Sequence, residues 1–178
     1  MTRFHTPLTI SAIAILLSSS YYTLAAWSVT DTKSKPARTQ ANTMTIAQNS
    51  QEDLVKEVHQ QINQYRQSLN LSPLTLNQHI SRQAEMHSQN MAQQQVKFSH
   101  QGFESRIEAI EDYISYRSAA ENVAYNEGYS NPAERAVTGW IKSEGHRQNI
   151  VGDYNLTGIG IAQNERGEYY FTQIFIKE

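Results

Sequence analysis

Cysteine is absent from the 178 residues. That excludes a disulfide framework, a thiolate-ligated zinc, a cysteine nucleophile and lipid attachment through an N-terminal cysteine. Any metal site has to be built from His, Asp or Glu. An excess of positive charge is missing too. The chain carries 15 Lys and Arg against 17 Asp and Glu, a net charge of −2, which makes no case for nucleic acid as a partner. A long apolar run is also lacking. Leu8 to Leu17 has only the length of a signal-peptide core. It reaches Trp27 only if Ser18-Ser19-Ser20 is tolerated, which is marginal for a bilayer span.

What is present divides the chain in three. Arg3 and His5 make a weakly basic start, and Thr23-Leu24-Ala25 offers small residues at the cleavage positions. Residues 1–26 therefore read as a signal peptide cut after Ala25 or Ala26, and the protein as exported. The competing reading is an uncleaved anchor, which would be the one link to a membrane. Residues 27–50 are polar, without a hydrophobic period, and read as a flexible tether. Lys33, Lys35 and Arg38 against Asp31 make that tether slightly basic. Residues 51–178 hold 11 Lys and Arg against 16 Asp and Glu, a net charge of −5. A basic tether beside an acidic domain hints at contact with an anionic wall or membrane, although short charged tethers are usually just solvated.

Residues 51–178 are enough for one domain with a real core. Leu54, Val58, Ile62, Tyr65 and Leu69 form one helical stripe after Gln51-Glu52-Asp53. Asn77 caps a second helix with Ile80, Ala84, His87 and Met91 inward. Phe98 to Gly102 is a turn. Phe103 to Ile110 is a short helix facing inward through Ile107 and Ile110. Residues 111–120 have no clear pattern, and Glu121 to Tyr125 is a short strand or buried extended segment. Asn131-Pro132-Ala133-Glu134 starts another helix, with Ala133, Ala136, Val137, Trp140 and Ile141 on its apolar face. Gly145 suits the left-handed position after that helix, with one more turn through Ile150. Tyr154–Gln163 and Glu168–Ile176 form a hairpin around Asn164-Glu165-Arg166-Gly167. The last strand is apolar on both faces: Tyr169, Phe171 and Phe175 on one, Ile174 and Ile176 on the other. Helices followed by strands, with a sheet covered on both faces, give an α+β fold: a three-layer α-β-α sandwich on an antiparallel sheet.

Three ionisable residues stand beside turn or breaker signals: His100, Glu121 and His146. Two imidazoles and a carboxylate are a shell that zinc or another divalent cation accepts, leaving a position for water. Spacing alone does not bring them together. Ser143, Glu144 and Arg147 flank His146 as auxiliary candidates. Bland readings stand beside each. His87 reads as a core histidine, and His59 and His79 as exposed helix or cap residues. Glu121 reads equally as an acceptor in a tight turn, and Arg147 as a surface partner of Glu144 or Asp153.

Four stretches in order, "AEMHSQNMAQQQVKFSH", "AENVAYN", "AVTGWIKSEGHRQNI" and "YNLTGIGIAQNERGEYYFTQIF", resemble a bacterial CAP (or SCP) domain. That superfamily includes the cysteine-rich secretory proteins, antigen 5 and the plant pathogenesis-related proteins. The resemblance spans nearly all of residues 51–178. It implies an α-β-α sandwich with an open cleft lined by histidines and glutamates that can hold a divalent metal. His100 matches the first family histidine, Glu121 the glutamate of the "EN" motif, and His146 the second histidine. Eukaryotic members carry a second glutamate three positions after the tryptophan. Here that position is Ser143, and Glu144 lies one place on, about 100° further round a helix. Three cleft residues carry over, not four.

The resemblance implies an exported binding or interaction module. Its partner would be a small ligand, a lipid or an extracellular or wall component. Sterol binding fits poorly, because in relatives it involves loops often held by disulfides. Two alternatives stand beside it. A metal-assisted hydrolase or peptidase would use His100, His146 and Glu121 around a zinc-bound water, although HExxH is absent and no oxyanion stabiliser stands out. A structural, wall-associated role is the other.

Overall fold

The computed structural model describes residues 38–178, with side chains from residue 50 onward. The signal segment and residues 27–37 of the tether lie outside the described residues. No helix among the described residues is long and apolar enough to cross a membrane.

Helix α1 spans Arg38–Ser68, so it begins well before Gln51 and takes in residues 38–50 of the segment read as tether. Adding turns to a helix already nucleated downstream costs little. Val58 and Ile62 of its stripe are fully buried. Leu69 is 46% exposed, because the helix has ended at Ser68. Strand β1, Thr75–Leu76, follows, then α2, Gln78–Ala92. The Asn77 side chain caps α2 by accepting from the backbone of His79 and Ile80. Helix α3 is Phe103–Glu111. Strand β2, Ser118–Asn126, contains the "EN" pair. Helix α4, Pro132–Lys142, has the expected Asn131 cap and first-turn proline. Helix α5 is Glu144–Val151. The hairpin is β3, Leu156–Gln163, and β4, Tyr169–Lys177.

The sheet order is β1-β3-β4-β2. β4 pairs antiparallel with both neighbours, whereas β1 runs parallel to β3 through two residues. The sheet is therefore mixed, not antiparallel throughout. β1 is the end of the connection from α1 to α2, and it meets the sheet in whatever direction that crossing takes.

Two apolar layers sandwich the sheet. On one face Val58 and Ile62 of α1, Ala136, Val137 and Trp140 of α4 and Ile150 of α5 pack on Ile159, Ile161, Phe171 and Phe175. On the other, Ile80 and Ala84 of α2 and Ile107 and Ile110 of α3 pack on Ile174 and Ile176. The two-faced reading of β4 holds, as the period-two alternation of a strand requires. Helix α2 lies so close to β3 that glycine is obligatory beneath it. A Cβ on Gly158 would sit 2.3 Å from the Ile80 backbone, and one on Gly160 2.0 Å from the Glu85 nitrogen.

Gly145 is not left-handed and lies inside the first turn of α5. The break is made by Ser143, extended at φ −89° and ψ 123°, which ends α4 and starts α5 together. Arg66 then anchors the far end of α5. It is buried and donates to the carbonyls of Ser72, Ile150, Gly152 and Tyr154. Carbonyls at a helix C-terminus lack intrahelical donors, and a guanidinium supplies them.

Candidate functional site: a His–Glu cluster at the sheet edge

β2 is an outer strand of the sheet, and adjacent residues of a strand face opposite sides. Glu121 and Asn122 use that alternation. Glu121 reaches toward α3, where His100 and Arg106 meet it. Asn122 reaches toward α5, donating from Nδ2 to the His146 carbonyl at 3.1 Å. Asn149 of α5 ties both together, donating to Asn122 Oδ1 at 2.8 Å and to the Glu121 carbonyl at 3.2 Å. One dipeptide thus holds elements of both helical layers at the sheet edge.

His100 precedes α3 in a turn closed by Phe103 N to His100 O at 3.1 Å. Gly102 makes the turn possible, since its φ of +79° disfavours residues with a Cβ. The Glu121 side chain is 2% exposed and that of His100 is 52% exposed. Glu121 Oε2 accepts from Arg106 Nε at 2.9 Å, and Oε1 accepts from Arg106 Nη2 at 2.8 Å and from His100 Nδ1 at 3.0 Å. This is the planar two-pronged pairing that suits guanidinium and carboxylate. Because the carboxylate can only accept, His100 donates from Nδ1, and in the neutral ring Nε2 is the bare nitrogen.

Arg106 has a second contact. Its Nη1 lies 3.2 Å from His87 Nδ1, while His87 Nε2 lies 2.8 Å from the Ser99 carbonyl. A guanidinium only donates, so His87 accepts at Nδ1 and donates at Nε2: a neutral ring of defined tautomer. Burial above all holds this imidazole below the usual histidine value, with the Arg106 cation acting in the same sense against the Ser99 carbonyl and Glu121. His87 is thus the buried histidine the sequence suggests, and it also backs the residue that grips Glu121.

His146 lies on α5 with Nδ1 2.9 Å from Ser143 Oγ. Burial, and then the charge of His100, hold its imidazole below the usual value. Glu144 is exposed in the first turn of α5 and takes no part in the cluster. Arg147 does not pair with Glu144 or Asp153. Its Nη1 donates to the Ile141 carbonyl at 3.1 Å, satisfying the end of α4, and Asp153 pairs with Lys177.

The three expected ligands do not make a three-ligand shell. Both oxygens of Glu121 are engaged, and turning one to a cation would strand a buried guanidinium. Among the described residues, no group of three or more His, Asp or Glu is placed to hold an ion. The remaining donor set is two imidazoles. Neither His100 Nε2 nor His146 Nε2 bonds to a described residue. Glu121 stands behind His100 as the carboxylate that metal-bound histidines commonly carry.

Arg106 escaped the sequence reading, although a signal existed. It lies three residues after Phe103 and four before Ile110, on the inward stripe of α3. A charged residue on an apolar stripe calls for a buried partner. Asn122 carried no comparable signal.

The model of the cysteine-rich secretory protein family, CAP, matches residues 59–175. The uncharacterized protein YkwD of Bacillus subtilis (strain 168) is 36% identical over 150 residues, covering 83% of this chain and 56% of that protein. The chain thus spans little more than half of that relative. An extracellular protein containing an SCP domain from Bacillus anthracis str. Ames superposes with a TM-score of 0.62 at 25% identity, over 72% of this chain and 41% of that one. An outer surface protein from Borrelia burgdorferi gives 0.61 at 19% identity, over 71% of this chain and 93% of that one, and shares the fold. Cysteine-free as it is, the chain belongs to the cysteine-rich secretory protein (CAP) family.

Proposed function

We propose that this domain acts outside the cytoplasm as a binding module whose recognition surface centres on His100 and His146. The reading of residues 1–26 as a signal peptide supports export, as do the extracellular and outer-surface relatives. The observation that carries binding over catalysis is the state of Glu121. Its carboxylate is buried and both oxygens are held by Arg106 and His100. A general base needs an acceptor within reach of a substrate proton, and the Glu121 side chain is 2% exposed with both oxygens turned to Arg106 and His100.

The two open Nε2 atoms supply the donors for a divalent cation such as zinc, with water or a ligand oxygen completing the shell. Bound there, the cation would act as a Lewis acid toward an oxygen of the partner. Isothermal titration with zinc tests this. The wild type should bind, and His100→Ala and His146→Ala should each weaken binding by about tenfold or more. Affinity should also fall below about pH 6, where free histidine protonates. Equal affinity in all three proteins removes the shared site.

One contact favours a hydrolase: Ser143 Oγ beside His146 Nδ1. It is the weaker reading, since a nucleophilic serine needs its histidine oriented by an acid on the other nitrogen, and His146 has none among the described residues. Cleavage of a peptide library that Ser143→Ala abolishes would restore the hydrolase reading.

A further inference from the structure

Beside His146, between β2 and α4, lies a pocket of about 200 Å³. Ser143, the hydrogen-bond partner of His146, also lines it, whereas His100 and Glu121 do not. We propose that it binds a short extended peptide that meets the outer edge of β2 at Tyr125, with a carboxylate toward Arg135. The proposal rests on the reading of the domain as a binding module and names the class of partner.

The first observation is the strand edge. β2 is last in the sheet order, so one of its long sides has no neighbouring strand among the described residues. Alternate carbonyls point to that side. Asn149 Nδ2 covers that of Glu121 at 3.2 Å, and Trp140 Nε1 covers that of Val123 at 3.0 Å. Tyr125 is next in the alternation. No described side chain covers its carbonyl, and the residue is 41% exposed. An extended chain offers a backbone N–H to that one open carbonyl.

The second is an orphaned acceptor. Asn126 lines the pocket and is 5% exposed. Its Nδ2 donates to the Pro132 carbonyl at 3.0 Å, which establishes which amide atom is oxygen. That oxygen, Oδ1, is buried without a hydrogen-bond partner. A buried acceptor left unmade is costly, and a ligand N–H is the group that would meet it.

The third is Gly139. It lies in the interior of α4 and lines the pocket. Glycine destabilises a helix interior relative to alanine, yet a Cβ here would meet nothing within 4 Å. No packing demands the glycine, and its effect is to leave the pocket wall bare. The fourth is Arg135, whose guanidinium sits 5.0 Å from the Tyr129 ring centre. It lines the pocket and has no carboxylate partner among the described residues. Two acceptors and a cation together match a peptide with backbone N–H groups and an acidic group, and α4 walls the edge against a whole second sheet.

The test screens the full chain against an array of eight-residue peptides made in pairs, one with free carboxylates and one amidated. Chito-oligosaccharides run alongside. Free-carboxylate members should bind. In solution the best of them should move the NMR signals of the Trp140 indole N–H and the Asn126 side-chain amide. Arg135→Ala should weaken it about tenfold or more. Gly139→Leu should abolish binding while cooperative unfolding is retained. The proposal fails if no peptide binds better than its amidated twin, if binding survives Gly139→Leu, or if only the sugars move those signals. Zinc titration of the same samples separates the two levels. Normal zinc binding without peptide binding overturns the peptide site alone, and loss of both overturns the binding-module reading.

Discussion

Arg106 grips Glu121 from within α3, Nε to Oε2 at 2.9 Å and Nη2 to Oε1 at 2.8 Å, with both side chains almost wholly removed from solvent. Removing one partner of a buried pair leaves the other charge uncompensated, at a cost of about 3–5 kcal/mol. Arg106→Ala should therefore lower unfolding stability by that amount in urea titrations. Arg106→Met with Glu121→Leu should recover much of the loss, because no stranded charge remains. Equal destabilisation by the single and double variants would mean that shape, not charge, sets the cost.

The same pair positions His100, and this separates it from ordinary packing. Glu121→Gln keeps the volume but weakens the acceptor behind His100 Nδ1. Loss of such a partner typically costs about 10- to 100-fold in metal affinity. Zinc binding should weaken within that range while His146→Ala remains the more damaging change. Unchanged zinc affinity in Glu121→Gln would show that the carboxylate serves Arg106 and does not act through His100.

Stability should depend on pH through the two depressed histidines. His87 and His146 both have folded-state values below the ordinary one, so the unfolded chain binds protons first as pH falls. Their contribution is complete above about pH 6.5, the unfolded value, and is lost as pH falls through their folded values. Protonating His87 also places an N–H against Arg106. Urea midpoints from pH 7.5 to 5 should fall more steeply for wild type than for His87→Gln. Parallel curves would remove His87 as a contributor.

Three glycines should respond in opposite directions. Gly160→Ala drives a Cβ to 2.0 Å from backbone, and overpacking of this kind costs about 1–3 kcal/mol or more. Gly158→Ala should behave alike. Gly139→Ala enters open space in a helix interior and should stabilise by about 0.5–1 kcal/mol. Thermal melts give the sign directly, and destabilisation by Gly139→Ala would mean that its position is not free.

Arg66→Ala should cost about 2–4 kcal/mol, since it strips charge-assisted donors from carbonyls of α5 and the turn after it. Hydrogen exchange should rise first in α5, which carries His146. Exchange rising evenly across the domain would show that Arg66 supports the whole core and not that helix.

Much of the scaffold was legible because helix and strand periods are local. The Ile80–Ala84–His87–Met91 stripe, the Asn77 and Asn131 caps and the two faces of β4 each depend on residues a few positions apart. Gly145 misleads for the same reason. Gly145 looked like the breaker by type, but whether a left-handed glycine or an extended serine ends α4 depends on where α5 must run.

Local patterns in the chain were enough to establish the layers, the apolar faces and the candidacy of His100, Glu121 and His146. What those residues do to one another came from packing. Arg106 reaches Glu121 across 15 positions, and Asn122 reaches His146 across 24. Hydrogen bonds between layers depend on packing distance and on which strand is outermost, and neither leaves a period in the chain. That is why Glu121, chemically suited to hold a metal, is instead the anion of a buried ion pair.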